Sequence, residues 1–190
     1  MRIVSDKNLD RLKQPHAVTV GKFDGMHIGH MALIGKTVEY AKNLGIPSLV
    51  FTFYPNPVSV LSGKPFMPLI SEHEKTEILS GTGIDILLNY PFDRAFADIS
   101  PEAFIKLLFD DLECRALAVG ESFRFGKDRK GEDSMLAEAG KAYGAIVEIV
   151  ESILIDGEPV SSSRIREAVA EKNYALAERM LGRPAKGQGY

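Results

Sequence analysis

The chain has 190 residues, with 26 acidic and 23 basic side chains, a net charge of −3 and an isoelectric point near 5.8. Its 45% hydrophobic and 26% charged residues are typical of a soluble globular domain, and its acidic balance argues against a dedicated nucleic-acid binder. Its single cysteine excludes a disulfide framework and a multi-cysteine zinc site. No apolar run approaches the roughly 20 residues that span a membrane, and residues 1–7 contain no signal-peptide core, so we expect a cytoplasmic protein without a membrane partner.

Strand-like and helix-like segments alternate along the chain. In chain order we predict a strand at 16–23, a helix at 28–44, a strand at 46–53, a helix at 71–80, a strand at 84–88, a helix at 100–110, a strand at 116–119, a helix at 132–143, a strand at 145–150, a hairpin at 152–160, and helices at 163–172 and 174–181. Such alternation is typical of a parallel sheet with helices on both faces. The sequence therefore predicts an α/β, doubly wound, Rossmann-like fold that binds ligands at the carboxyl ends of its strands.

The turn after the first predicted strand, residues 21–30, has the features of a phosphate site. Glycines at 21, 25 and 29 let the backbone approach a ligand closely, and the turn opens a helix whose free N–H groups favour an anion. His27 and His30 are three residues apart, so on a helix they project from one face. A metal site and a plain polar surface are the alternatives, but a metal site needs a third ligand and only Asp24 is near. We therefore interpret the turn as a nucleotide phosphate loop.

A second unusual segment is Val160-Ser161-Ser162-Ser163-Arg164-Ile165-Arg166. Serines at a helix start are ordinarily caps, which is the alternative interpretation. However, Arg164 and Arg166 fall in the first turn, where cations oppose the helix dipole. This local conflict favours an anion-binding site.

The pattern G-x-F-D-G-x-H-x-G-H at residues 21–30 resembles the signature of the H-x-G-H nucleotidyltransferases. In this long form it is similar to the adenylyltransferase domain of bacterial FAD synthetases. Residues 160–166 resemble the family's second ATP motif, I-S-S-T-x-x-R, with Val160, Ser163 and Arg166 standing for Ile, Thr and the final Arg.

Two further loops resemble the family. Residues 53–57, F-Y-P-N-P, match F-[D/E]-P-H-P near the flavin site, with Tyr54 and Asn56 as departures. Residues 120–126, G-E-S-F-R-F-G, match G-x-[D/N]-F-x-F-G, with Ser122 as a departure. Aromatic residues on these loops are either core residues or a sandwich for a planar ring. The basic residues at 124, 127, 129 and 130 form either a solvated loop or a phosphate contact.

The resemblance implies transfer of the adenylyl group of ATP to FMN, which gives FAD and pyrophosphate, with Mg²⁺ bridging the ATP phosphates. The implied catalytic residues are His27, His30 and Arg166. The implied nucleotide-binding residues are Gly21, Phe23, Asp24, Gly25, Gly29, Ser161, Ser162 and Ser163, of which the serines, together with Arg166, would hold the β- and γ-phosphates. The implied flavin-binding residues are Phe53, Asn56, Pro57, Ser122 and Phe125, and no protein ligand of the metal is implied.

The resemblance covers nearly the whole chain, so we expect an FMN adenylyltransferase domain at 1–184 and a flexible tail at 185–190. The riboflavin kinase domain that usually follows in this family is expected to be absent, so we expect FMN conversion without riboflavin phosphorylation. Two alternatives stay open. One is another adenylyl- or cytidylyltransferase with a small phosphate substrate, and the other is a catalytically weak relative that binds flavin or nucleotide.

Overall fold

A computed structural model describes residues 1–185. Its main sheet has six parallel strands: β1 (Arg2–Val4), β2 (His16–Val20), β3 (Ser48–Tyr54), β4 (Ile86–Pro91), β5 (Cys114–Gly120) and β6 (Ile146–Val150). The strand order is β1-β4-β3-β2-β5-β6. The parallel α/β sheet predicted from the alternating segments is confirmed.

Eight α-helices accompany the sheet in the described part of the chain: α1 (Ile28–Leu44), α2 (Pro57–Ser62), α3 (Glu72–Ser80), α4 (Arg94–Ala97), α5 (Pro101–Lys106), α6 (Asp133–Tyr143), α7 (Ser162–Ala170) and α8 (Tyr174–Leu181). Short 3₁₀ turns lie at Leu9–Leu12 and Lys127–Arg129, and α5 continues into a π-helical turn at Leu107–Asp111. A small hairpin pairs β7 (Leu154–Ile155) with β8 (Glu158–Pro159). Within the described residues, none of these helices combines the length and apolar character needed to cross a membrane.

Apolar residues cover both faces of the sheet. Leu49 and Phe51 of β3 pack in a cluster with Phe104 of α5, whereas Val50, between them, packs with Ile34 of α1. Successive residues of a strand point to opposite faces, so a strand between two helical layers is buried on both sides and is mostly apolar. This explains why β2 and the first five residues of β3 are fully buried.

Several predicted boundaries are wrong, and three of the strands and α-helices were not predicted. The strand predicted at 16–23 ends at Val20, because the chain turns and Phe23 adopts a positive φ of 49°. The helix predicted at 100–110 leaves α geometry at Leu107, where a π turn buries Leu107, Leu108 and Phe109. The unpredicted elements are β1, α2 and α4, all too short for hydrophobic periodicity to register. Of the predicted flexible tail, residues 186–190 lie outside the described residues.

The order of the strands positions the site. From β2 the chain adds β3 and β4 on one side and later adds β5 and β6 on the other, so the direction of winding reverses beside β2. Loops that follow adjacent strands on either side of such a reversal diverge and leave a crevice at the carboxyl ends. The loop at 21–30, interpreted above as a phosphate loop, follows β2 and therefore lies at this crevice.

Candidate active site

A cavity of ≈ 860 Å³ lies at the carboxyl ends of β2, β3, β5 and β6, with an opening to solvent. Ligand pockets of small-molecule enzymes typically occupy about 300–1,000 Å³. The sequence-predicted site residues that line it are Gly21, His27, Gly29, His30, Phe53, Pro57, Ser122, Phe125, Ser161, Ser162 and Ser163. Four loops that are distant in sequence thus contribute to one cavity.

The remaining sequence-predicted residues, Phe23, Asp24, Gly25, Asn56 and Arg166, are not part of the cavity lining. Phe23 is fully buried beside α1, with its ring centroid 5.2 Å from that of His30. Gly25 has a φ of +81°, and a Cβ there would come within 2.8 Å of Leu69. Asn56 caps α2, where its side chain accepts a hydrogen bond from the Val58 N–H at 2.9 Å. The direct ligand contacts assigned to these residues stay predictions.

The two histidines are held together at the start of α1. His27 is the N-cap, and its Nδ1 accepts the backbone N–H of His30 at 3.4 Å. The two rings stack with a centroid separation of 3.6 Å and an angle of 20°. Gly29 permits this arrangement, because a Cβ at that position would be 3.2 Å from two atoms of the His27 ring. The pair therefore presents two imidazoles side by side at a helix N-terminus.

Both imidazoles are neutral at physiological pH. Burial lowers the pKa of His27 to about 4, and Asp24 opposes this shift only in part. Burial, together with the adjoining His27, lowers the pKa of His30 well below its ordinary value. A neutral imidazole still donates one hydrogen bond, and the acceptor role of His27 Nδ1 assigns its proton to Nε2. The site thus offers neutral imidazole N–H groups as hydrogen-bond donors.

The three serines of the second motif have different local roles. Ser161 caps α7 by accepting the Arg164 N–H at 3.2 Å. Ser162 Oγ donates to the carbonyl oxygen of Asp24 at 2.8 Å, which joins the two motifs. Ser163 is exposed at the cavity wall. The Arg164 guanidinium turns to the hairpin and pairs with Glu158.

Asp24 and Arg166 form a second connection between the motifs. The Asp24 carboxylate is buried, accepts the Leu69 N–H at 2.9 Å through Oδ1, and forms an ion pair with Arg166 through Oδ2. Arg166 also donates to the carbonyl oxygens of Met67 at 3.1 Å and Ser162 at 3.3 Å. The Arg166 guanidinium is thus engaged with groups of the protein itself.

One side of the cavity is aromatic. Phe123 and Phe125 stack at 5.7 Å, and Phe125 lies 5.2 Å from Phe104. Phe104 lies 6.3 Å from Phe96, which in turn contacts Phe53 at 5.9 Å. The rings of the 53–57 and 120–126 loops therefore belong to one continuous aromatic wall, in which Phe96 and Phe104 connect them. Phe96 had no predicted role, although its position just after a buried strand signalled one.

Charged side chains line the rest of the cavity: Lys22, Arg94, Asp98, Arg124, Lys127, Asp128, Arg129 and Glu151. Lys127 pairs with Asp98 at 3.0 Å. In residues 1–185, Lys22, Arg94 and Arg129 form no ion pair. Burial and then the neighbouring Arg129 lower the pKa of Lys22, and Asp24 opposes them only in part. An anionic ligand would supply the negative charge that these cations lack.

No position in the described chain groups three or more His, Cys, Asp or Glu side chains for a metal ion.

Comparison with known proteins agrees with these motifs. Residues 9–164 match the model of the FAD synthetase family. The chain is 34% identical over 187 residues to a bifunctional riboflavin kinase/FMN adenylyltransferase of Pseudomonas fluorescens, covering 96% of this chain and 60% of the relative. It is 37% identical over 180 residues to the protein of the same name from Escherichia coli K12, covering 93% of this chain and 58% of the relative. The chain thus spans about 60% of the length of the curated relatives it matches.

A solved structure supports the fold assignment. A protein from Streptococcus pneumoniae, named a macrolide-efflux protein, superposes with a TM-score of 0.81 at 26% identity, over 97% of this chain and 61% of that one. The family match covers most of the chain and includes the whole of the first motif and all three serines of the second. By these matches, the chain belongs to the FAD synthetase family.

Proposed function

We propose that this chain transfers the adenylyl group of ATP to FMN and forms FAD and pyrophosphate. The observation that carries the proposal is the single cavity in which the His27–His30 pair and the serine motif face an aromatic wall. An adenylyltransferase for a flavin needs both a polyphosphate site and a surface for a planar ring. The names of the bacterial relatives support the same pair of substrates. We propose residues 1–184 as the domain that performs this step.

The proposed reaction is an in-line displacement. An FMN phosphate oxygen attacks the α-phosphorus of ATP, the bond to the β-phosphate bridging oxygen breaks, and pyrophosphate leaves. Such a transfer depends on positioning and charge stabilisation more than on a covalent intermediate. Mg²⁺ bound to the ATP phosphates would neutralise part of their charge.

The residues of the cavity suit these roles. The neutral rings of His27 and His30 would donate hydrogen bonds to phosphate oxygens, helped by the N-terminus of α1. Ser163 at the start of α7 would bind the departing phosphates, and Lys22 and Arg129 would attract the anionic substrates. The aromatic wall around Phe125 would hold the isoalloxazine ring.

Chromatography of the flavins tests the proposal. Purified protein is incubated with FMN and MgATP, and FAD and pyrophosphate are quantified together. We expect equimolar FAD and pyrophosphate, and no product when riboflavin replaces FMN, because riboflavin lacks the attacking phosphate. FMN consumption with CTP in place of ATP, or binding without turnover, would favour one of the two alternative functions instead. We propose a cytoplasmic location for this activity, which cell fractionation with antibody detection would test.

A further inference from the structure

A surface segment between β3 and Leu69 forms part of the cavity rim. We call residues 55–68 the acceptor flap. No residue of the flap is buried, yet Pro57, Val58 and Leu61 line the cavity, and the last two are 42% and 54% exposed. Apolar side chains exposed at a cavity are a common feature of ligand-binding surfaces. The flap therefore presents apolar contacts to a ligand but packs weakly on its own protein.

The end of the flap nearest Leu69 is attached to α7 through Arg166. The guanidinium lies 5.0 Å from the centroid of the Phe66 ring and donates to the Met67 carbonyl oxygen at 3.1 Å. The same nitrogen, Nη2, forms the ion pair with Asp24, whose other carboxylate oxygen accepts the Leu69 N–H. One guanidinium thus contacts the flap, the first loop and the serine motif, and it connects all three.

We propose that Arg166 is a positioning residue that, with Asp24, fixes the flap so that Pro57, Val58 and Leu61 complete the acceptor side of the cavity. The acceptor is FMN if the function proposed above holds, and the inference rests on that function for the identity of the ligand. Arg166 is not part of the cavity lining, and its guanidinium is engaged with Asp24, Phe66 and Met67.

The chemistry of the side chain explains why arginine is required here. A planar guanidinium presents several N–H donors in fixed directions and stacks on an aromatic ring, so it can join a carboxylate, two carbonyl oxygens and Phe66. Lysine keeps the positive charge but provides a single ammonium group. Arg166→Lys should therefore keep the charge of the pair but not the full set of connections.

Hydrogen exchange of the ligand-free chain is the first test. Arg166→Gln and Arg166→Lys should accelerate amide exchange by about tenfold or more in residues 55–69, with other regions unchanged. Asp24→Asn should do the same, although its Oδ1 still accepts the Leu69 N–H. The matched control is Arg164→Gln on the same helix, which loses only the contacts with Glu158 and should leave the flap unchanged. Unchanged exchange in the flap, or equal acceleration throughout the chain, overturns the proposal.

Separate binding measurements distinguish a positioning role from phosphate binding. In Arg166→Lys, the Kd for FMN, measured by flavin fluorescence without ATP, should rise about tenfold. The Kd for MgATP, measured by calorimetry without FMN, should change less than about threefold. In turnover assays, the KM for FMN should rise more than kcat falls. Loss of ATP binding with FMN binding intact identifies Arg166 as a phosphate ligand and overturns the inference. Failure of the parent protein to bind FMN would contradict the proposed function, while the exchange test still decides whether Arg166 fixes the flap.

Discussion

His30 combines a buried ring nitrogen with a place in the cavity lining. Its Nδ1 is buried and has no hydrogen-bond partner among the described residues. A buried polar group without a partner costs roughly 1–3 kcal/mol, and such groups in native proteins are rare. The ring also lines the cavity and stacks on His27, and we propose it as a hydrogen-bond donor to the substrate phosphates.

His30→Ala tests this role. Removal of one preorganised donor to a developing charge typically lowers the rate on the order of 10²–10³-fold, and we expect kcat for FAD formation to fall by that amount. The control is His73→Ala, because His73 is exposed on α3, where its ring faces Glu77. Circular dichroism would establish that both variants fold. A His30→Ala variant within a few-fold of the parent would contradict the assignment.

At the scale of elements, helix packing depends on where glycines lie. Gly140 lies on the buried side of α6, and a Cβ there would be 2.4 Å from Val147 Cγ2 and 3.1 Å from the Ala145 carbonyl oxygen. Gly35 lies in the middle of α1, where a Cβ would meet no atom within 4 Å. The same substitution should therefore have opposite effects on the two helices.

Gly140→Ala is expected to lower the free energy of unfolding by about 1–3 kcal/mol, because α6 must move away from β6. Gly35→Ala is expected to raise it by roughly 0.5–1 kcal/mol, because alanine favours the helix and meets no obstruction. Urea unfolding followed by circular dichroism would measure both changes. Equal effects at the two positions would show that the close approach of α6 to β6 does not exclude a side chain at position 140.

At the scale of the whole molecule, buried histidines connect folding to pH. Burial lowers the pKa of His16, His27 and His30 in the folded chain. In the unfolded chain these groups return to a pKa near 6.5, so the unfolded state binds more protons between that value and the folded pKa. The free energy of unfolding should therefore decrease as the pH falls from about 6.5 towards 4.

The contribution of His27 can be separated from that of the other groups. With a folded pKa of about 4, His27 should account for roughly 3 kcal/mol of the loss between neutral pH and pH 4. We expect His27→Gln to show a shallower decline in urea-unfolding free energy over this range than the parent. Replacement of His73, which is exposed on α3, provides the control. An identical slope in His27→Gln and the parent would contradict a depressed pKa for His27.

The sequence by itself determined the helix ends, because the residues that cap a helix lie within a few positions of it. The helix at 28–44 has its predicted bounds, because Gly45 adopts a left-handed conformation with a φ of 66° that ends it. Ser100 caps α5 as predicted, with its side chain accepting the Ala103 N–H. His27 and His30 do lie together as the spacing predicts, although His27 is the N-cap and not a helical residue, and its ring accepts the His30 N–H.

Only the tertiary structure decided what depends on partners that are distant in the chain. Arg166 meets Asp24 across 142 residues, an ion pair that neither motif signals by itself. Phe23, expected at the nucleotide, is buried in the core, and the serines divide between capping α7, bonding to Asp24 and lining the cavity. Residue type and periodicity indicate which interactions a side chain can form. Which partner it meets depends on the strand order of the sheet, because that order decides which loops lie side by side.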